Sequence, residues 1–212
     1  MSDCCAHKGD SLALAARRAD IRRVLIIVLV LNGLMFLVEF TAGLIAQSAA
    51  LMADSADMLG DALVYGVSLY ALERSSRWNA GAALFKGGFI LLLGLGVLAQ
   101  IGFKIAYGVP PSTALMVVFG GLALVSNLIC LRLLWRFRKD NVNLSSTFEC
   151  SRNDVVANSG VLAAAGGVAL TASPWPDIAV AAVIAFLFLR SSVRVIAEAW
   201  PQYRRPGLHP AE

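Results

Sequence analysis

The chain has 212 residues, 58% hydrophobic and 15% charged, with mean hydropathy +0.71 and a formal net charge of +4. Ordinary soluble domains carry about 25% charged residues, and runs of about 20 apolar residues, enough to span a bilayer as a helix, recur here, so a soluble core is excluded. The runs are continuous rather than alternating, which speaks against a β-barrel; the basic residues sit at helix ends without interleaved aromatics, which speaks against nucleic acid as a partner.

Residues 1–20 are expected to be a cytoplasmic N-terminal tail. It carries "CCAHKGD" at residues 4–10. Cys4, Cys5 and His7 could capture or hand over a cytosolic metal; the plainer reading is an unstructured tail, since three ligands do not close a structural zinc site.

Six spans follow. The first, 21–46, begins beside Arg22 and Arg23 but is too long for a signal peptide and lacks a small-residue cleavage site. On it Asn32 and Glu39 share one face, two turns apart, and either line a pathway or bond to neighbouring helices. After "AQSA" the second span, 49–72, carries Asp54, Asp57 and Asp61 and no base. The third, 81–107, holds Gly87, Gly88, Gly94, Gly96 and Gly102, which allow close helix packing. After "GVPPS" comes the fourth, 112–136, whose Asn127 and Cys130 read as packing. The fifth, 144–171, carries Cys150, Asp154 and Asn158. After "TASPWP" the sixth runs 176–200, with Asp177 expected to cap its start. Residues 201–212 form a short cytoplasmic C-terminal tail, in which His209 reads as an ordinary exposed residue.

The expected fold is therefore an all-α membrane protein, a six-transmembrane-helix bundle occupying 21–200. Lys and Arg cluster before the first span, at the second and fourth joints and after the sixth, while the other three joints have none. By the positive-inside rule both termini are cytoplasmic. Trp78, Trp135, Trp175 and Trp200 fall near span ends, where an aromatic belt lies. No cysteine lies in a loop assigned to the outside, so a disulfide framework is not expected.

The acids of the second span demand an account. An ionised acid at the centre of a span costs about 2.5 to 3.5 kcal/mol on insertion scales, and such residues face a bundle interior or a pathway. Asp57 and Asp61 are one turn apart on one face, and Asp54 extends the stripe. Like charges so close repel, and a proton or a metal ion must offset them. On the fifth span Cys150 and Asp154 are likewise four apart, with Asn158 one turn further. At 1.5 Å per residue, Asp57 lies about 12 Å and Asp61 about 18 Å below the outer surface. By the same rise Cys150 lies about 9 Å and Asp154 about 15 Å above the inner one. In a hydrocarbon core of about 30 Å the two pairs level with each other. Asp57, Asp61, Asp154 and Cys150 would make a tetrahedral metal site, with Asn158 as rival to Cys150 and Asp54 supporting from beside it. The soft sulfur turns the choice toward zinc, cadmium or a similar divalent transition metal. An empty site would take up protons and a bound metal would expel them, which is the basis of metal/proton antiport.

"SAALMADSADMLGD", followed in the fifth span by "CSRNDVVANSGVLAAA", resembles the cation diffusion facilitator family. The resemblance implies a six-span exporter of divalent metal, mostly zinc, working by proton exchange and usually as a homodimer. The family pattern of His or Asp followed four later by Asp falls on Asp57 and Asp61, then on Cys150 and Asp154, with Cys150 standing where the family usually has His or Asp. The short stretch after the sixth span suggests a form without the family's C-terminal cytoplasmic domain. The expected substrate is Zn2+ (Cd2+ or a related ion in its place), the expected partners are protons, the lipid bilayer and a second copy, and the expected setting is a bacterial inner (plasma) membrane. A proton-coupled exporter of another cation and a non-transporting metal-binding membrane subunit are the competing readings. No nucleophile–base pair is visible, so an enzyme is not expected.

Overall fold

The computed structural model describes residues 3–71, 76–138 and 142–204. They form six helices: α1 (Asp3–Ala46), α2 (Ala49–Ala71), α3 (Ser76–Tyr107), α4 (Thr113–Trp135), α5 (Val142–Thr171) and α6 (Trp175–Arg204), with no strand among the described residues. Five of them are long and apolar enough to cross a membrane. α2 is the exception, and composition is the reason. Its 23 residues reach about 35 Å at 1.5 Å per residue, but Asp54, Asp57 and Asp61 interrupt its apolar character.

Helix ends lie within a few residues of the expected spans, with one larger difference. α1 begins at Asp3, so most of the stretch expected as an unstructured tail continues the first span as helix. "SLALAARRAD" is rich in Ala, Leu and Arg, which favour helix intrinsically.

The three joints at one end of the bundle are tight. α1 ends in a Schellman motif: Ser48 N donates to Gly43 O at 3.0 Å and Gln47 N to Leu44 O at 3.3 Å. Gln47 sits in the left-handed region at φ 52°, a conformation that costs a non-glycine residue about 1–2 kcal/mol. α3 and α5 also end on a left-handed residue, but in the simpler single-bond motif: the N–H groups of Gly108 (φ 65°) and Ala172 (φ 51°) reach Lys104 O and Val168 O at 2.8 Å.

α2 is the central element, packed against each of the other five helices. Its first turns supply Ala49, Ala50, Leu51, Ala53 and Ala56 to a core shared with Ile90, Met116, Val161, Ala181 and Phe188. These small side chains let neighbouring backbones approach closely. A second apolar cluster, around Leu25, Val28, Cys130, Leu134 and Phe137, closes the opposite end. Large apolar side chains point outward instead: Ile26, Val30, Leu34 and Leu37 on α1, Val118, Leu122, Val125 and Ile129 on α4, Val183 and Phe186 on α6. Apolar outside with carboxylates and amides inside is the distribution a bilayer selects.

Candidate metal pathway

Between the two apolar clusters lies a polar layer. α2 contributes Asp54, Asp57 and Asp61; α5 contributes Ser151, Asp154 and Asn158; α1 contributes Asn32 and Glu39; α4 contributes Ser126, Asn127 and Cys130. All are buried except Asp57, which is partly exposed. α2 and α5 pack directly on each other and run in opposite directions along the bundle. Asp57, Asp61 and Asp154 each have an electrostatic or hydrogen-bonding neighbour. Among the described residues no group of three or more His, Cys, Asp or Glu side chains is gathered to hold a metal ion. Cys150 lies on α5, but its side chain is outside the described ones, as are those of Cys4, Cys5 and His7; His209 lies outside the described residues altogether.

Asn158 donates from Nδ2 to Asp154 O at 2.9 Å, one turn back on its own helix, and its buried Oδ1 meets no donor. The amide is thereby held with an oxygen free to accept, as a rival metal donor would need. Asn32 bonds to Val28 O at 2.9 Å and approaches Cys130 Sγ at 3.9 Å. Cys130 also has Asp61 as its charged neighbour. A cysteine that reads from sequence as simple packing thus lies beside Asn32 of α1, with Asp61 of α2 as its charged neighbour. Nothing in the spacing of α4 alone announces this; only the α1–α4 and α2–α4 contacts do.

Glu39 and Asp54 meet across the α1–α2 contact, within hydrogen-bonding reach of each other. Neither Glu39 oxygen nor Asp54 Oδ2 finds a donor. Glu39 therefore faces its carboxylate counterpart on α2, one turn before Asp57.

Asp177 corrects the expectation placed on it. It caps α2, not its own helix: Oδ2 accepts from Ala49 N at 2.8 Å, and Oδ1 accepts from Ser48 Oγ at 2.5 Å and from Ala50 N at 3.2 Å. Lys104 of α3 completes the cluster, pairing with Asp177 Oδ2 at 2.6 Å and donating to Gln47 O. Both charged side chains are buried. Ser48 Oγ also accepts from Leu51 N at 3.1 Å, as an N-cap should. Four orphan N–H groups at a helix start attract whatever acid tertiary structure places there, and α6 brings Asp177 closer to α2 than local sequence suggests.

The family model for the cation efflux transmembrane domain matches residues 25–202 of the chain. The metal cation efflux system protein CzcD of Cupriavidus metallidurans is 28% identical over 201 residues, covering 84% of this chain and 63% of that protein. A cadmium, cobalt and zinc/H(+)-K(+) antiporter of Bacillus velezensis is 22% identical over 188 residues, covering 82% of this chain and 60% of the relative. Its counterpart from Bacillus subtilis is 22% identical over 202 residues, covering 85% and 65%. The chain thus spans less than two thirds of the length of the relatives it matches.

Proposed function

The chain belongs to the cation efflux transmembrane domain family, and from that premise we propose that it is a transporter, not an enzyme, exporting zinc or a similar divalent transition metal across a bacterial plasma membrane by proton antiport. The observation that carries the reading is the packing of α2, with three acids and no base, directly against α5, with Asp154 in its buried layer. The two Bacillus relatives, named as cadmium, cobalt and zinc/H(+)-K(+) antiporters, agree with it. Asp57, Asp61 and Asp154 supply the charge and Cys150 a softer fourth donor, with Asn158 Oδ1 as the alternative. The donors close on the ion when it binds, from two helices that already touch. A second copy of the chain completes the working unit as a homodimer.

Metal ligands must be deprotonated, so metal and protons compete for one set of groups. Apparent zinc affinity therefore rises with pH and falls as the acids take up protons. The test places purified protein in liposomes with a zinc reporter inside and an imposed pH difference. Wild type moves zinc and protons in opposite directions. Asp57→Ala moves neither above background; normal zinc flux through Asp57→Ala overturns the ligand assignment. Zinc binding without flux in wild type would favour a non-transporting subunit, and flux of organic cations without zinc flux would favour the other competing reading.

A further inference from the structure

We propose that Glu39 and Asp54 form a proton-holding site distinct from the metal ligands: two carboxyls on α1 and α2 that share one proton and carry it in the exchange cycle. Both side chains are almost wholly buried, at 0% and 1% exposure. Both Glu39 oxygens and Asp54 Oδ2 lack any hydrogen-bond donor, while the two groups lie within hydrogen-bonding reach of each other. Two ionised carboxylates cannot persist side by side in an apolar interior, because each adds its desolvation cost to their mutual repulsion. One proton removes both problems. It neutralises one acid and supplies the O–H that the other accepts, a charge-assisted bond of the strong class. The pair then carries a single negative charge.

No base competes for this role among the described residues. Lys104 on α3 and Asp177 on α6 satisfy each other at the start of α2. On α4 the titratable groups are Cys130, which is level with Asn32 about two turns nearer the other end of the bundle, and Arg132 beyond it. On α5 Asp154 is buried and assigned to the metal donors, and Arg152 is exposed. On α1 itself Arg22 and Arg23 lie four turns or more away. Asp57 and Asp61 continue the stripe from Asp54 along α2. A proton on the pair therefore sits one helical turn from the proposed metal donors, at the end where α1, α3 and α5 finish. It can pass toward them as metal leaves and be replaced from that side.

The holding of the proton stands on the pair alone; its part in transport rests on the metal/proton exchange proposed above. The experiment separates the two. Infrared difference titration of the purified full chain without metal, in wild type, E39Q and D54N, reads the protonated carboxyl directly. Each amide mimics the neutral acid in shape. The expected result is a component of the protonated-carboxyl band at neutral pH, separate from that of the metal-site acids, that shifts in frequency in E39Q and in D54N, disappears in the double variant E39Q/D54N, persists in D57N, and stays near its wild-type frequency in E39D. Zinc binding by E39Q at equilibrium is expected to match wild type, while its zinc-coupled proton flux in liposomes falls to background. A band unchanged in both E39Q and D54N overturns the proposal, and so does loss of zinc binding in E39Q as complete as in D57N, which would make the pair part of the metal site. If D57N binds zinc normally, the metal assignment fails, and the band still decides the fate of the pair.

Discussion

Each buried polar side chain in this protein is settled by what it meets. Asp177 and Lys104 are a closed pair with helix N–H groups and a carbonyl completing their shells. Removing one partner of such a pair leaves an uncompensated buried charge, which costs about 3–5 kcal/mol. Lys104→Met should therefore lower the melting temperature in detergent markedly, and Lys104→Met with Asp177→Asn should recover part of the loss; no recovery in the double variant would show that the cap on α2 matters more than the pair. Cys150 is a question of chemistry rather than stability. Soft sulfur favours cadmium over zinc more than a hydroxyl does. Cys150→Ser is expected to shift the zinc-to-cadmium transport ratio toward zinc, as competition flux assays would read, and an unchanged ratio would assign the fourth position to Asn158.

At the scale of helices, two glycine positions show how contact with a neighbour decides a residue's value. A Cβ on Gly87 would lie 2.6 Å from Ile196 Cγ1, and the adjacent Ser192 Oγ donates to Gly87 O at 2.6 Å. A Cβ on Gly94 would lie 2.7 Å from Leu189 Cδ2. α3 and α6 are pressed together at these points. Gly88, Gly96 and Gly102 face open space instead, so the glycines of the third span divide into two classes that its sequence does not distinguish. Overpacking typically costs about 1–3 kcal/mol. Gly87→Ala should reduce thermal stability by an amount in that range, since Ile196 is β-branched and has little room to turn, whereas Gly102→Ala should be neutral or slightly stabilising; equal melting shifts would place the α3–α6 contact elsewhere.

The whole molecule is arranged inside out relative to a soluble bundle, and α2 is its axis. A helix with three acids would not enter a bilayer alone at low cost; packing on every side lets it do so. The basic residues of the even-numbered joints and the termini set the expected orientation, both ends facing the cytoplasm. A reporter that fluoresces only in the cytoplasm, fused after Glu212, should be bright, and a periplasm-dependent enzyme at the same position silent. The reverse pattern would invert the proposed direction of transport along with the topology.

Hydropathy and turn chemistry alone mark out all six helices, to within a few residues except at the start of α1, because a bilayer demands about 20 apolar residues per crossing and tolerates little else. The acids of α2 and Asp154 of α5 stand out for the same reason: a carboxylate in such a run is too costly to be incidental. Which groups those acids meet could not be read this way. Glu39 faces Asp54, Cys130 neighbours Asp61, and Asp177 caps α2 from 128 residues away, as its bond to Ala49 shows. Helical period tells which residues share a face, but the rotation and neighbour of each helix follow from packing small residues against bulky ones across the bundle. Those choices are made jointly by all six helices, and no single segment contains them.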